Sequence, residues 1–254
     1  MNHYLVFFKK ELLENIRTYK LLIMLTVFLI FGIMNPLTAK LTPELLAKFM
    51  PEGMSITVPE PSSLDSWAQF FKNSQQMGFI VMVLVFSGIL GTELSKGTLI
   101  NLLTKGLSRQ AVIVAKYASM LLIWTMSILT SFLVTWAYTV YLFPDGKGVN
   151  VLFSVLCLWL FGAFLLALLL FAATLVKSSY GSLLITGAVI IVLTLCNVIP
   201  AANKYNPISL TTKNMDLITN KIELSSLYFP IGVTAIASVC LITLAVLVFQ
   251  QKQL

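Results

Sequence analysis

The sequence predicts an all-α integral membrane protein of six transmembrane helices. Three observations carry that prediction: six uninterrupted apolar blocks near bilayer-crossing length, no formal charge inside any of them, and a charge balance that differs between alternate connections. Of 254 residues, 58% are hydrophobic and 11% charged. A water-soluble domain of this size has too little interior to hide that much apolar surface. Crossing roughly 30 Å of hydrocarbon at about 1.5 Å per residue takes about 17 to 25 residues. The blocks cover, approximately, 21–39, 77–92, 117–144, 151–176, 179–202 and 224–251, within one transmembrane domain over 1–254. They are apolar on every face, whereas barrel strands alternate over about ten residues. Helices are therefore expected, because each satisfies its own backbone in lipid.

An even number of spans puts both termini on one side. The segments on that side hold Lys9, Lys10, Arg17, Lys20, Lys96, Lys105, Arg109, Lys116, Lys177 and Lys252 against Glu11, Glu14 and Glu93. The opposite segments hold seven cations and seven acids, so the whole net charge of +7 lies with the termini. That asymmetry predicts a cytoplasmic location for both ends, in a cell membrane. Cationic loops beside anionic lipid account for the basic composition, and no nucleic-acid partner is expected. The first block is too long for the apolar part of a cleavable signal peptide.

Ahead of the first block, over 1–20, Leu5, Phe8, Leu12, Ile16 and Tyr19 recur at helical spacing, with Lys10, Glu14 and Arg17 on another face. This pattern predicts an amphipathic helix in the membrane interface. In the connection over 40–76, Thr42 and Pro43 suit a helix start, which predicts a short surface helix and then an irregular stretch. The connection over 203–226 reads either as a solvated loop with a proline turn or as a partly re-entrant cap.

The connection over 93–116 is the most informative. Leu99, Leu102 and Leu103 share one face of a short helix that Thr98 can cap and Gly106 can end, and Ser108 can cap the next helix, which runs through Lys116. A small amphipathic helix in place of a simple turn suggests a docking surface. Residues 91–98 are no phosphate-binding loop: Lys96 precedes Gly97, which inverts the required order.

The chemistry expected inside the blocks is sparse. The lone histidine is His3, and Cys157, Cys196 and Cys240 read as small hydrophobic residues with no disulfide or metal spacing. Metal hydrolysis and proton relay both call for intramembrane ionisable groups, so no enzymatic step and no metal are expected. Hydroxyls and amides such as Ser87, Thr125, Ser131, Thr194 and Asn197 are most simply bonded to the preceding helical turn or to a neighbouring helix.

The order of elements, with Glu93, Gly97-Thr98, Leu102-Leu103-Thr104-Lys105, Ser108-Arg109 and Lys116, resembles the permease of type-two ATP-binding-cassette exporters over nearly the whole chain. Tyr205-Asn206-Pro207 is similar, more weakly, to that family's proline motif. Gly106 departs from the pattern, since the family often has proline there. The resemblance implies that the cytosolic helix couples to a separate ATPase through Glu93, Lys96, Gly97, Thr98, Leu99, Leu102, Leu103, Lys105, Ser108 and Arg109. It also implies two permease copies paired around a path, two ATP-binding subunits that hold ATP and magnesium, and no cofactor in this chain. Ser87, Thr125, Ser131, Thr194 and Asn197 become candidates for lining that path, whose apolar character suits an amphipathic or hydrophobic cargo: peptide, drug or lipid. A non-transporting scaffold or peptide sensor shares the hydropathy pattern but leaves the docking loop unexplained.

Overall fold

The computed structural model describes residues 3–49, 60–95, 97, 104, 107–176 and 178–252. Among them every regular element is helical: α1 (His3–Arg17), α2 (Lys20–Phe49), α3 (Ser63–Asn73), α4 (Phe79–Phe86), α5 (Gly91–Ser95), α6 (Arg109–Leu142), α7 (Val151–Leu175), α8 (Ser179–Cys196), α9 (Pro200–Asn203), α10 (Ser209–Thr212), α11 (Asn214–Ile218) and α12 (Tyr228–Gln251). A π-helical turn, Ser74–Gly78, joins α3 to α4, and a 3₁₀ turn, Leu224–Leu227, leads into α12. Six stretches are long and apolar enough to cross a membrane: Lys20–Glu44, Ser63–Glu93, Arg109–Leu142, Val151–Leu175, Ser179–Cys196 and Leu224–Gln251. The protein is a multi-pass helical membrane protein.

α1 turns its apolar Leu5, Leu13 and Ile16 outward, as an interfacial helix does, while Phe7, Glu11 and Asn15 are buried on the inner row. The chain then enters the membrane at Tyr19, whose left-handed φ of 60° is uncommon for a residue with a side chain and makes the bend between α1 and α2.

The connection after the first span differs from the expectation. α2 continues to Phe49 through Pro36 and Pro43, and Thr42 Oγ1 donates back to Thr38 O at 2.6 Å instead of capping a separate surface helix. The second helical span starts at Ser63 rather than near residue 77. There the Ser62 N–H and hydroxyl both donate to Asp65 Oδ2, at 2.8 and 2.9 Å, and Trp67, Phe70 and Phe71 give this amphipathic stretch a buried face. The Ser63 N–H donates to Asp145 Oδ2 at 3.1 Å. Burial pushes the Asp145 carboxyl up, but hydrogen bonds from Ser63 and Lys147 together outweigh it and hold the carboxyl below its ordinary value. This contact's contribution is complete above that ordinary value and is lost as pH falls through the depressed one, so the turn persists at neutral pH.

Pro36 cannot donate to the carbonyl four residues earlier, and no water inside a bilayer can replace that donor. Thr135 on α6 fills the gap: its hydroxyl donates to Gly32 O at 3.2 Å and accepts from Asn35 Nδ2 at 3.0 Å. Asn35 Oδ1 then accepts from Asn73 Nδ2 at 2.7 Å, so one buried polar chain fastens the first three spans. Thr135→Val, which keeps the shape, strands two buried groups and should cost about 1–3 kcal/mol. An unchanged melting temperature of the purified variant in detergent would count against this fastening.

α7 lies at the centre and is mostly buried, whereas α8 and the last span are mostly exposed. Gly162 lets α7 approach α6 at Trp124, whose indole N–H donates to Trp159 O at 3.0 Å. On the face opposite the termini, the connection over 203–226 forms a packed cap. Asn206, Ile208, Leu210, Asn214, Leu217 and Ile218 are buried, and Asn206 Nδ2 reaches Leu193 O at 2.6 Å. The segment is therefore packed on the bundle and is not a fully solvated loop.

Candidate functional site

Where the N-terminal helix meets the membrane, five charged side chains come together from three elements. α1 supplies Lys10, Glu11 and Glu14, α5 supplies Glu93, and α6 supplies Lys116 two turns inside the third span. Lys116 Nζ lies 3.0 Å from Glu11 Oε2 and 2.6 Å from Glu93 Oε2. Lys10 Nζ contacts Glu11 at 3.0 Å and Glu14 at 2.5 Å, and also pairs with Glu93. Lys116 and Glu11 are each 1% exposed, a depth at which an unpaired charge is not tolerated and a bonded pair is held rigidly. Asn15 extends the contact, its amide donating to Ser119 Oγ at 3.4 Å.

The electrostatics follow from that crowding. One carboxylate oxygen from each of Glu11, Glu14 and Glu93 lies within 4.8 Å of the others, a repulsive set that the two ammonium groups offset in all but one charge. Burial works against the charge on Lys10, but hydrogen bonds with Glu14 and Glu93 and the nearby Glu11 outweigh it, raising its pKa above the ordinary lysine value. Lys10 therefore keeps its charge through the neutral range. Its stabilising contribution is complete below the ordinary lysine value and is lost only as pH rises through the raised one. Phe7 closes the cluster, with Lys10 Nζ 5.1 Å from its ring centroid.

Glu93 is the last residue of the second span, directly before the predicted docking segment, and Arg109 stands directly after it. The Ser108 hydroxyl caps α6, accepting from Ala111 N–H at 3.2 Å. Arg109 reaches across to the end of the last span, where its Nη1 donates to Phe249 O, Gln250 O and Lys252 O at 3.1, 2.7 and 2.7 Å. Three carbonyls at a helix C-terminus are a natural seat for a cation. Lys252 Nζ in turn donates to Thr174 O near the end of α7 at 2.8 Å. One end of the segment is thus tied to α1 and α6, and the other to α12.

Of the other residues assigned to coupling, Gly97 is described and has φ +68°, the left-handed region that favours glycine. Lys96, Thr98, Leu99, Leu102, Leu103 and Lys105 lie outside the described residues. The residues assigned to a path are spread over the end of α4 (Ser87), α6 (Thr125 and Ser131) and the end of α8 (Thr194 and Asn197). Ser87 bonds Leu84 O, Thr125 bonds Leu121 O and accepts from Trp159 Nε1, and Thr194 bonds Ile190 O on an exposed face. Ser131 is buried between α6 and α2, and Asn197 is the C-cap of α8. The bonds of Ser87, Thr125 and Thr194 to the preceding turn fit the simpler structural reading of intramembrane hydroxyls, whereas the buried Ser131 hydroxyl meets no partner among the described residues.

Sequence reasoning placed Glu11 and Asn15 on no particular face and left Lys10 and Glu14 on a polar one. The legible signal was the row Phe7, Glu11, Asn15 at a spacing of four, one strip of α1.

Among known proteins, the chain is similar to the uncharacterized transmembrane protein YxlG of Bacillus subtilis (strain 168), at 24% identity over 141 residues. That match spans 55% of this chain and 55% of the relative, about half of each. The family model described as ABC-2 family transporter protein matches residues 5–254, and the chain belongs to that family.

Proposed function

We propose that this chain is the membrane-spanning subunit of an ATP-driven exporter, coupled to a separate ATP-binding subunit through the segment between Glu93 and Arg109. Family membership makes the transport role the natural frame. The observation that carries the coupling role is the two-ended anchoring: Glu93 joins the segment's start to Lys10 and Lys116, and Arg109 joins its end to the carbonyls of the last span. A push on a segment held this way is shared by α1, α6 and α12 together, because charge-assisted bonds resist stretching. ATP and magnesium belong to the partner, since this chain carries no phosphate-binding loop.

The remaining parts of the reading have separate supports. The concentration of net positive charge with the termini supports a cytoplasmic face for both ends and for the docking segment. The open faces of α8 and α12 leave room for a second permease copy, giving a homodimer with two ATPases. An apolar interior with hydroxyl groups suits a hydrophobic or amphipathic cargo of the peptide, drug or lipid class, antimicrobial peptides among them.

Purification from native membranes tests the proposal. The expected result is co-purification of an ATP-binding protein and vanadate-sensitive ATP hydrolysis by the complex. A chain that purifies without any ATPase would instead favour a scaffold or sensor. Glu93→Ala should leave membrane insertion intact but uncouple hydrolysis from export, and export at the wild-type rate would exclude the coupling role of Glu93.

A further inference from the structure

At the opposite end of the molecule from the charge cluster, a cavity of about 570 Å³ opens beside the end of α8 and the start of the last span. Asn197, Asn203, Lys204, Lys213, Ser225 and Phe229 are among the residues lining it. This face of the protein carries equal numbers of cations and acids, yet the lining contains two lysines and no carboxylate. Among the described residues, neither Lys204 nor Lys213 forms an ion pair.

The neighbouring groups leave that positive charge unanswered. Glu223, adjoining the rim, accepts from the Ser225 hydroxyl at 3.0 Å and pairs with neither lysine. Asn197 Oδ1 accepts from Ser209 Oγ at 3.4 Å, and the Asn197 amide N–H groups meet no acceptor among the described residues. Lys204 Nζ is held 4.9 Å from the Phe229 ring centroid and 5.9 Å from that of Tyr205, which fixes one cation beside aromatic surface. Val198 and Phe229, also on the lining, are 80% and 54% exposed, so the cavity continues into an apolar flank.

We propose that this cavity seats the anionic, phosphate-type headgroup of a membrane lipid, whose acyl chains start over the exposed Val198 and Phe229. Two ammonium groups supply the charge and the Asn197 amide supplies directed donors, a combination that suits a phosphate ester. The apolar flank beneath favours a lipid over a soluble anion, because only an amphiphile uses both parts of the surface. The site does not depend on the ATP-driven reading and stands or falls separately from it.

Lysine labelling of the full wild-type chain in nanodiscs tests it. Acetylation by a water-soluble amine reagent is followed at each lysine by peptide mass spectrometry. One set of discs contains phosphatidylcholine alone, a second includes phosphatidylglycerol, and a third contains phosphatidylcholine with inorganic phosphate in the buffer. The expected result is several-fold slower labelling of Lys204 and Lys213 in the second set only, with Lys147 and Lys221, exposed on the same face, unchanged. Equal slowing of all four lysines reflects the general surface potential of anionic lipid and overturns the site. Protection by inorganic phosphate to the same degree overturns the lipid assignment, and no protection in any set overturns the proposal outright.

Discussion

Replacing Lys116 by Met lowers the stability of the folded chain by about 3–5 kcal/mol, the usual cost of removing one partner from a buried ion pair. Lys116 is 1% exposed and lies between Glu11, also 1% exposed, and Glu93, 6% exposed. Met fills nearly the same volume, so the loss comes from two carboxylates left facing one another in a medium that solvates them poorly. The remaining ammonium, on Lys10, already contacts all three acids and its single charge cannot balance them. The double variant Lys116→Met, Glu11→Gln should recover much of the loss, because the cluster returns to its wild-type net charge and the two sites are in contact. The measurement is the thermal midpoint of the purified protein in a mild detergent. A single variant as stable as wild type would show that the cluster does not hold α1 in place.

The second large effect is expected at Gly162. A Cβ there would lie 2.6 Å from the Trp124 indole nitrogen and closer still to two of its ring carbons. Trp124 is fully buried and also packs edge-on to Phe28, with ring centroids 5.5 Å apart, so it has nowhere to retreat. Gly162→Ala should cost about 1–3 kcal/mol through overpacking, and Gly162→Leu should abolish the folded, monodisperse protein. Gly187, on the open face of α8, is the control: no atom lies within 4 Å of a Cβ built there. Gly187→Ala should be neutral, or stabilising by up to about 1 kcal/mol through helix propensity. Equal behaviour of the two alanine variants would refute the close approach of α6 and α7.

The difference between these two glycines marks a limit of what the sequence reveals. Both sit in apolar helices with no local sign of which one meets a tryptophan, because apolarity on every face erases the periodicity that would orient a membrane helix. The second span shows a related limit. Its start at Ser63 was hidden by Asp65 and Lys72, which break the hydropathy but sit on a helix whose Trp67, Phe70 and Phe71 are turned inward. At Pro36 the helix continued because Thr135, far away in sequence, supplies the missing hydrogen-bond donor.

The sequence by itself determined the number of spans and their helical nature. Those properties depend on transfer of local segments from water to lipid, which is additive along the chain. Only the tertiary structure decided that Glu11 and Lys116 meet, that Arg109 holds the end of the last span, and that 203–226 folds into a cap. Each of those depends on how helices rotate and dock about one another, a choice made by packing and by pairing of buried polar groups between distant residues.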